Sequence, residues 1–187
     1  MEVQTDICRE ILYAFLDTWT VDEIRRMTLD QYVSVGDKDT FCQWLETMTR
    51  SLGSIKGVNS SKFGIYKRRD KSKRPKRLCN DNDYSWQKFY GDDRNEAFAK
   101  IKSEILQIID YAKKGQFEQI DDLHLTQFVR WKIAYLYSGE RLIPIFKKDI
   151  LVKIANHFGL SAAYKTPNSA IQFTFTKLNP LHTQATA

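Results

Sequence analysis

The sequence predicts an α+β fold that is mainly helical with a small β-sheet or hairpin. Apolar residues recur at intervals of three and four over several long stretches, which is the period of an amphipathic helix. Residues 62–68 read as a short strand leading out of a turn rich in glycine and serine. The chain has 187 residues, 42% of them hydrophobic and 13% aromatic, so it can bury a core. We expect a single domain over residues 1–180, with a helical part, 1–55, as a candidate unit packed on the rest, and a disordered tail or linker over 181–187.

The amino-terminal part is predicted to be helical. Thr20 and Thr28 each precede Glu or Gln by three positions, which is the pattern of a capping box and indicates two helix starts. A further helix is expected over residues 39–52, with Gly53 as its left-handed cap. The first helix ends near Trp19 and carries an apolar stripe that consists of Ile7, Ile11, Leu12 and Phe15.

The longest helix is predicted from about Arg94 to Lys114. Its apolar residues keep the helical spacing throughout, and Gly115 closes the run. Asp92 is the expected N-cap, and the acidic residues of the first turn suit the positive end of the helix dipole. This helix is expected to be structural core.

Two more helices are predicted over residues 126–137 and 149–158. Between them, the stretch "LIPIF" reads as an extended segment whose Pro144 suits a sheet edge. The closing stretch "SAIQFTFTKLNP" fits either a strand or a helix, and both remain open.

The net charge of +6 is concentrated in one segment. Residues 62–77 hold nine cations and one acid, Asp70, a local balance of +8 that leaves the rest of the chain at −2. Lysine and arginine neutralise phosphate and release counterions, which gives affinity for nucleic acid without sequence information. A flexible, solvated loop is the alternative. The candidate phosphate contacts are Lys62, Lys67, Arg68, Arg69, Lys71, Lys73, Arg74, Lys76 and Arg77.

Aromatic residues flank this cationic segment and are candidates for contact with bases. Tyr66 lies on the predicted strand, and Trp86 and Tyr90 follow the cations with Phe89 between them. Ring faces beside cations suit base stacking or a pocket for a flipped base. The alternative is that Trp86, Phe89 and Tyr90, which have helical spacing, pack on the long helix.

The stretch "SIKGVNSSKFG" is a second candidate element for binding. Its glycines let a backbone approach a ligand closely, although a tight turn alone would need the same residues. Lys147 and Lys148, before a helix start, are expected to add phosphate contacts. The candidate donors to phosphate or base edges are Ser54, Asn59, Ser60 and Ser61.

Catalytic and metal-binding patterns are weak in this sequence. None of His124, His157 and His182 has an HExxH or HxxxH companion. A metal nuclease needs carboxylates clustered on a scaffold. The best local candidates lie in a turn-like stretch without strands, and they are Asp81 and Asp83, or Asp92 and Asp93 with Lys88. We therefore predict no catalytic residue, no metal and no cofactor.

Compartment and membrane signals point to the cytoplasm. Cys8, Cys42 and Cys79 are isolated and odd in number, which favours neither a disulfide framework nor a zinc ribbon, so a reducing cytosol is expected. No apolar run is long enough to span a bilayer, and no membrane partner is expected.

The order of several stretches resembles the amino-terminal region that precedes the AAA+ GTPase motor in McrB-like modification-dependent restriction proteins. These stretches are "FCQWLE", "LGSIKGVNSSKFGIYKR", "YSWQKFYGDDRNEAFAKIKSEI" and "WKIAYLYSGERLIPIFKKDILVKIA". The resemblance covers roughly Thr20 to Phe158. It implies a domain that selects DNA, often by a modified base, while the motor and a separate nuclease subunit cut. No GxxxxGK[ST] occurs, so the motor is absent, and both an excised domain and a stand-alone relative remain open.

Taken together, these features favour a DNA-binding specificity module without catalysis of its own, whose partner is double-stranded DNA. The target is a specific site or a modified one, with 5-methylcytosine as a candidate base. Two alternatives remain open: a protein-interaction or assembly domain with an incidental basic loop, and an RNA-binding domain, since charge does not distinguish the two polymers.

Overall fold

The computed structural model describes residues 2–36, 39–57, 59–163 and 165–172. The fold is α+β with helix predominating over one small antiparallel sheet, which confirms the predicted fold class. The predicted tail over 181–187 lies outside the described residues. The stretch "SAIQFTFTKLNP" is helical over residues 169–172, and its later residues lie outside the described ones.

The amino-terminal part contains four α-helices. Both predicted helix starts are confirmed, because the Thr20 hydroxyl accepts from the backbone N–H of Glu23 and Thr28 forms a complete capping box with Gln31. The four helices are α1 (Glu2–Thr18), α2 (Val21–Arg26), α3 (Leu29–Tyr32) and α4 (Phe41–Gln43).

The helix expected over residues 39–52 is broken into short turns. α4 continues as a π-helical turn, Trp44–Met48, and then as a 3-10 turn, Arg50–Leu52. The Thr49 hydroxyl donates to the carbonyls of Trp44 and Leu45, which competes with a regular helical ladder. Gly53 has φ 93° and ψ 121°, so it is not the left-handed helical cap that was predicted.

A three-stranded antiparallel sheet follows, in the order β1-β3-β2. Its strands are β1 (Ile65–Lys67), β2 (Cys79–Asn80) and β3 (Tyr84–Trp86). The predicted strand over 62–68 is therefore shorter than expected. Lys62 and Phe63 belong to a 3-10 turn, Ser60–Phe63, and Gly64 at φ 82° redirects the chain into β1. The Phe63 carbonyl accepts from the Tyr32 hydroxyl instead of joining the sheet.

The second half of the chain is built on α5 (Arg94–Lys114), which matches the predicted bounds. Gly115 is its left-handed cap, as predicted. The N-cap is Asp93 rather than Asp92, since the Asp93 carboxylate accepts from the N–H groups of Asn95 and Glu96.

α5 is followed by α6 (Glu118–Asp121), α7 (Gln127–Tyr137) and α8 (Lys148–His157), before the short helical segment at 168–172. α7 and α8 agree closely with the predicted helices. The stretch "LIPIF" between them joins no strand in the described structure, because the Gln172 side chain pairs with the backbone of Ile143 and Ile145 in place of a neighbouring strand.

One core joins α1 to α7 with the sheet. α5 and α7 pack against each other, and Trp131 of α7 is fully buried together with Phe15 of α1 and Tyr32 of α3. A second, smaller apolar cluster forms around α8 and contains Leu151, Ala155 and Ile171. The sheet lies at the edge of the main core, where β3 and β1 contact α5.

Candidate nucleic-acid interface

The basic loop, defined here as residues 69–77, is part of the crossover between β1 and β2. Both strands run antiparallel to β3, which lies between them. β1 ends with Lys67 opposite Tyr84, whereas β2 begins with Cys79 opposite Trp86. The segment that connects β1 to β2 must therefore run back past β3 from the Tyr84 end to the Trp86 end, and the exposed cations lie on this segment.

Arg68 anchors the start of this crossover and is not a surface cation. The residue is only 5% exposed. Its guanidinium donates to the Tyr84 carbonyl, to the Ser85 hydroxyl at 2.9 Å and to the Asp81 carbonyl at 2.7 Å. The prediction that Arg68 contacts phosphate is therefore corrected, because its donors already hold the turn between β2 and β3 against β1.

The six cations of the basic loop are all exposed, and the structure divides them into two groups. Lys71 forms an ion pair with Asp83 at 2.7 Å, and Lys73 approaches Asp70 at 3.7 Å. The other four form no ion pair with any described residue, and they are Arg69, Arg74, Lys76 and Arg77. These four side chains are free to neutralise an external anion.

Lys67 is tied to the body of the protein. Its ammonium pairs with Asp30 at 3.1 Å, and the Tyr84 hydroxyl donates to the same carboxylate oxygen at 2.7 Å. Hydrogen bonds from Tyr84 and Lys67 lower the pKa of Asp30, and the Asp30 carboxylate raises the pKa of Lys67. Lys67 thus meets an internal counter-charge that competes with phosphate.

Lys62 is the second predicted phosphate contact that the structure buries. Its ammonium pairs with Glu46 at 2.5 Å and donates to the Ile55 carbonyl at 3.0 Å. The side chain has no exposed surface. Lys62 is therefore a cross-link between three segments of the core, and its prediction as a DNA contact is corrected.

The aromatic side chains of Trp86 and Tyr90 also face inward. Both residues are almost fully buried; the Trp86 ring N–H donates to the Gly91 carbonyl, and the Tyr90 hydroxyl donates to Glu104. Neither ring face is open to a base, so packing, the alternative interpretation, is correct for both. Tyr66 is partly buried against the core.

Phe89 is the aromatic residue of this region that reaches the surface, and sequence reasoning did not select it as a site residue. It is 55% exposed and its ring lies 5.4 Å from the ring of His124. Glu104 holds His124 in place through a contact of 2.9 Å with Nδ1. The 3-10 turn Lys88–Tyr90 turns Phe89 outward while Tyr90 points inward, a distinction that helical spacing alone did not reveal.

The serine-rich stretch is only partly assembled with this surface. Ser54, Asn59 and Ser60 are exposed, while Ser61 is half-buried and donates to the Asn59 side chain. Ser61 lines a cleft of about 200 Å³ beside Phe89. Ser61 is the candidate donor of this stretch that the structure brings next to an exposed aromatic ring.

The carboxylates considered for a nuclease have structural partners. Asp81 accepts from the N–H groups of Asp83 and Tyr84, and Asp83 pairs with Lys71, whose hydrogen bond lowers the pKa of the Asp83 carboxyl. Among the described residues, no three His, Cys, Asp or Glu side chains are arranged to hold a metal ion. The three cysteines are free thiols.

The fold and this surface together define an α+β domain with a cationic loop anchored to a small sheet. In the described residues no helix is both long and apolar enough to cross a membrane. No protein-family model matches the sequence, and neither a curated protein nor a solved structure matches it significantly. The function must consequently be inferred from the geometry of this chain.

Proposed function

We propose that the protein binds double-stranded DNA through the basic loop, as the specificity module of a McrB-like restriction system. The observation that carries the proposal is a set of four exposed cations that form no ion pair with any part of the chain that the structure describes. They lie on a loop that begins directly after the buried Arg68. An AAA+ GTPase motor and a nuclease subunit are the partners that the resemblance adds to this proposal.

Electrostatics supports binding to the DNA backbone. Four cations on one loop, close together in sequence and open to solvent, produce a local positive field, whereas the chain outside residues 62–77 carries a net charge of −2. Each phosphate that such a cation neutralises releases counterions, which makes the affinity fall as the salt concentration rises. The loop therefore supplies affinity and orientation rather than sequence information.

Base recognition needs a side chain that remains accessible. With Trp86 and Tyr90 buried, the exposed ring of Phe89 and the half-buried Ser61 beside it are the side chains of this region that suit contact with a base. Phe89 follows Trp86 by three residues, and Trp86 pairs with Cys79 at the point where the basic loop re-enters the sheet.

The proposal is tested by removing the four free charges of the basic loop. A quadruple Gln variant should weaken binding to every duplex and leave thermal unfolding unchanged, because these side chains are exposed. With about four phosphates neutralised, log K should fall against log salt with a slope near −3.6, and the variant should show a clearly shallower slope. The substituted residues are Arg69, Arg74, Lys76 and Arg77.

The matched control removes four exposed cations elsewhere on the protein. It lowers the net charge by the same amount, so it distinguishes direct binding by the basic loop from a general effect of the protein's charge. We expect its salt slope to equal that of the wild type. Equal losses of slope in both variants would contradict the proposal. The control substitutions to Gln are at Arg9, Arg50, Lys113 and Lys153.

A further inference from the structure

A separate cleft lies where the loop around Lys56 faces the first turns of α7 and α8. Its volume is about 360 Å³, within the range of clefts that bind small molecules. Its wall includes Lys56, Phe128, Lys147, Lys148 and Asp149, so three lysines, one aspartate and one aromatic residue line the same cleft. None of the four free cations of the basic loop lines it.

Lys148 is the most informative residue of this cleft, because its charge is buried without a counter-charge. It is 9% exposed, and its ammonium donates to the Thr166 carbonyl and to Asn168 Oδ1 at 2.7 Å. Two acceptors leave one of its three N–H donors without a partner in the described structure. No described carboxylate lies within ion-pair distance of it.

The surroundings of Lys148 favour an anion in the cleft. Burial lowers the pKa of Lys148, and the nearby Asp121 carboxylate opposes this shift without forming an ion pair. A buried ammonium is costly unless it is paired, so an anion beside it would regain part of that cost. Lys56 and Lys147 are exposed at the same cleft and add positive charge.

The remaining lining residues suggest what the anion is attached to. The half-buried ring of Phe128 offers an apolar surface suited to a flat ring system. The Asp149 carboxylate would repel a second phosphate but accepts hydrogen bonds from sugar hydroxyl groups. A lone phosphate ion would occupy only a small part of the volume, whereas a base, a sugar and a phosphate together match the three kinds of lining group.

We propose that this cleft binds a free nucleotide, with its phosphate beside Lys147 and Lys148 and its base against Phe128. This site is distinct from the DNA contact assigned to the basic loop, and it does not depend on that assignment. Lys56 completes the positive side of the cleft, and Asp149 meets the sugar.

Calorimetric titration of the full chain with three probes tests the chemistry. The probes are 5′-AMP, adenosine and inorganic phosphate, each at the same ionic strength. We expect 5′-AMP to bind saturably and at least about tenfold more tightly than either adenosine or phosphate, because only AMP engages both the lysines and the ring. The proposal would be overturned if AMP binding did not saturate at concentrations up to about 10 mM. It would also be overturned if adenosine or phosphate bound as tightly as AMP.

Exposed lysines provide variants that leave the fold intact. Replacing Lys56 and Lys147 together with Gln should weaken AMP binding by about tenfold or more, whereas Lys153→Gln, on an exposed position of α8 outside the cleft, should not change it. Phe128→Leu should reduce the advantage of AMP over phosphate. Loss of AMP binding in Lys153→Gln to the same extent would attribute the effect to overall charge and overturn the assignment.

DNA carries the same phosphate and base chemistry, so a duplex is titrated as a competitor. We expect AMP to remain bound in the presence of a blunt duplex, and the quadruple variant of the basic loop to bind AMP as the wild type does. Displacement of AMP by the duplex would assign the cleft to DNA and overturn the proposal of a free nucleotide. Because the loop variant removes DNA binding alone, failure of one proposal is distinguishable from failure of the other.

Discussion

Among single residues, cations serve two different purposes in this protein. Lys62, Arg68 and Lys132 are buried and donate to carbonyl groups of segments distant in sequence. Burial of a charged group is costly unless hydrogen bonds or an ion pair compensate it, so these contacts hold the side chains in the core and connect the segments that supply the acceptors. The four exposed cations of the basic loop that form no ion pair with a described residue have no such role and are free to meet external anions; they are Arg69, Arg74, Lys76 and Arg77.

Arg68 provides a prediction that separates the two purposes. Arg68→Lys should lower the free energy of unfolding by about 1–3 kcal/mol, because an ammonium cannot reach the set of acceptors that the planar guanidinium spans, and buried acceptors stay unsatisfied. Urea unfolding measures this loss. The salt slope of DNA binding by the folded fraction should stay at the wild-type value.

Arg74→Lys is the matched control for Arg68→Lys, since Arg74 is exposed and its substitution should leave unfolding unchanged. A stable Arg68→Lys variant with a shallower salt slope would mean that Arg68 contacts phosphate after all.

Lys132 gives a prediction for pH dependence. Burial lowers the pKa of Lys132 to about 7, against about 10.4 in an unfolded chain. Between these values the unfolded chain binds the proton and the folded chain does not, so stability must rise as pH rises from about 7 to 10. In this window, raising the pH should increase the unfolding free energy of the wild type relative to that of Lys132→Met, by up to about 1.4 kcal/mol per pH unit.

The comparison with Lys132→Met removes the titration of all other groups, which both proteins share. Chemical denaturation at several pH values provides the measurement. A difference that does not change with pH would mean that Lys132 stays protonated, held by the carbonyls of Thr49, Leu52 and Gly53 at 2.8–2.9 Å.

Among the elements, the connections decide how the sheet and the helices meet. The 3-10 turn Ser60–Phe63 enters β1 through Gly64, whose backbone has φ 82° and packs directly against α5. The basic loop then leaves β1 and returns to β2 on the other side of β3. Substitutions at Gly64 therefore act on the element that carries the proposed DNA contact.

Gly64→Ala should lower the free energy of unfolding by about 2–4 kcal/mol. A Cβ atom there would lie 2.8 Å from Ile101 Cδ1 and 2.9 Å from Tyr90 Cε2, which is too close for normal packing. The alanine would also be strained by the positive φ of this position, so the two costs add. Thermal or urea unfolding checks this value. Gly139→Ala is the control, because Gly139 has φ 63° and a Cβ added there would meet no atom within 4 Å. Equal losses in the two variants would show that the close contact contributes nothing.

In the molecule as a whole, the charge distribution favours one binding face. The basic loop holds six cations and one acid, a balance of +5 out of the net charge of +6, so the positive field is concentrated there. Phe89 lines two clefts and follows the end of β3 by three residues, and the last residue of β3, Trp86, pairs with Cys79, two residues after the basic loop ends. A duplex seated on the loop would therefore come close to the exposed ring of Phe89.

The restriction proposal predicts which nucleic acids bind. At one fixed salt concentration, a duplex should bind more tightly than a single strand or RNA of the same length. If the base is selected by its chemistry, a duplex that contains 5-methylcytosine should gain about 1–3 kcal/mol over the unmodified duplex. Fluorescence anisotropy with labelled probes measures all four affinities. Equal binding of RNA and both duplexes would contradict the assignment as a DNA-specificity module.

Features that depend on neighbours along the chain could be predicted without a structure. The bounds of α5 and its cap at Gly115 followed from apolar spacing and a terminal glycine, and the caps at Thr20 and Thr28 followed from residues three positions apart. The cationic segment was equally visible, because charge is a property of composition. All of these signals are local, so they did not depend on the fold.

Which of those residues remain accessible became clear only from the tertiary structure. Lys62 and Arg68 look like their exposed neighbours in the sequence, yet they are buried by acceptors that lie 7 to 17 positions away in the chain. Phe89 has the same aromatic character as Trp86 and Tyr90, but a 3-10 turn directs it to solvent while α5 covers Tyr90. Burial depends on contacts between distant segments, and a pattern of nearest neighbours carries no information about them.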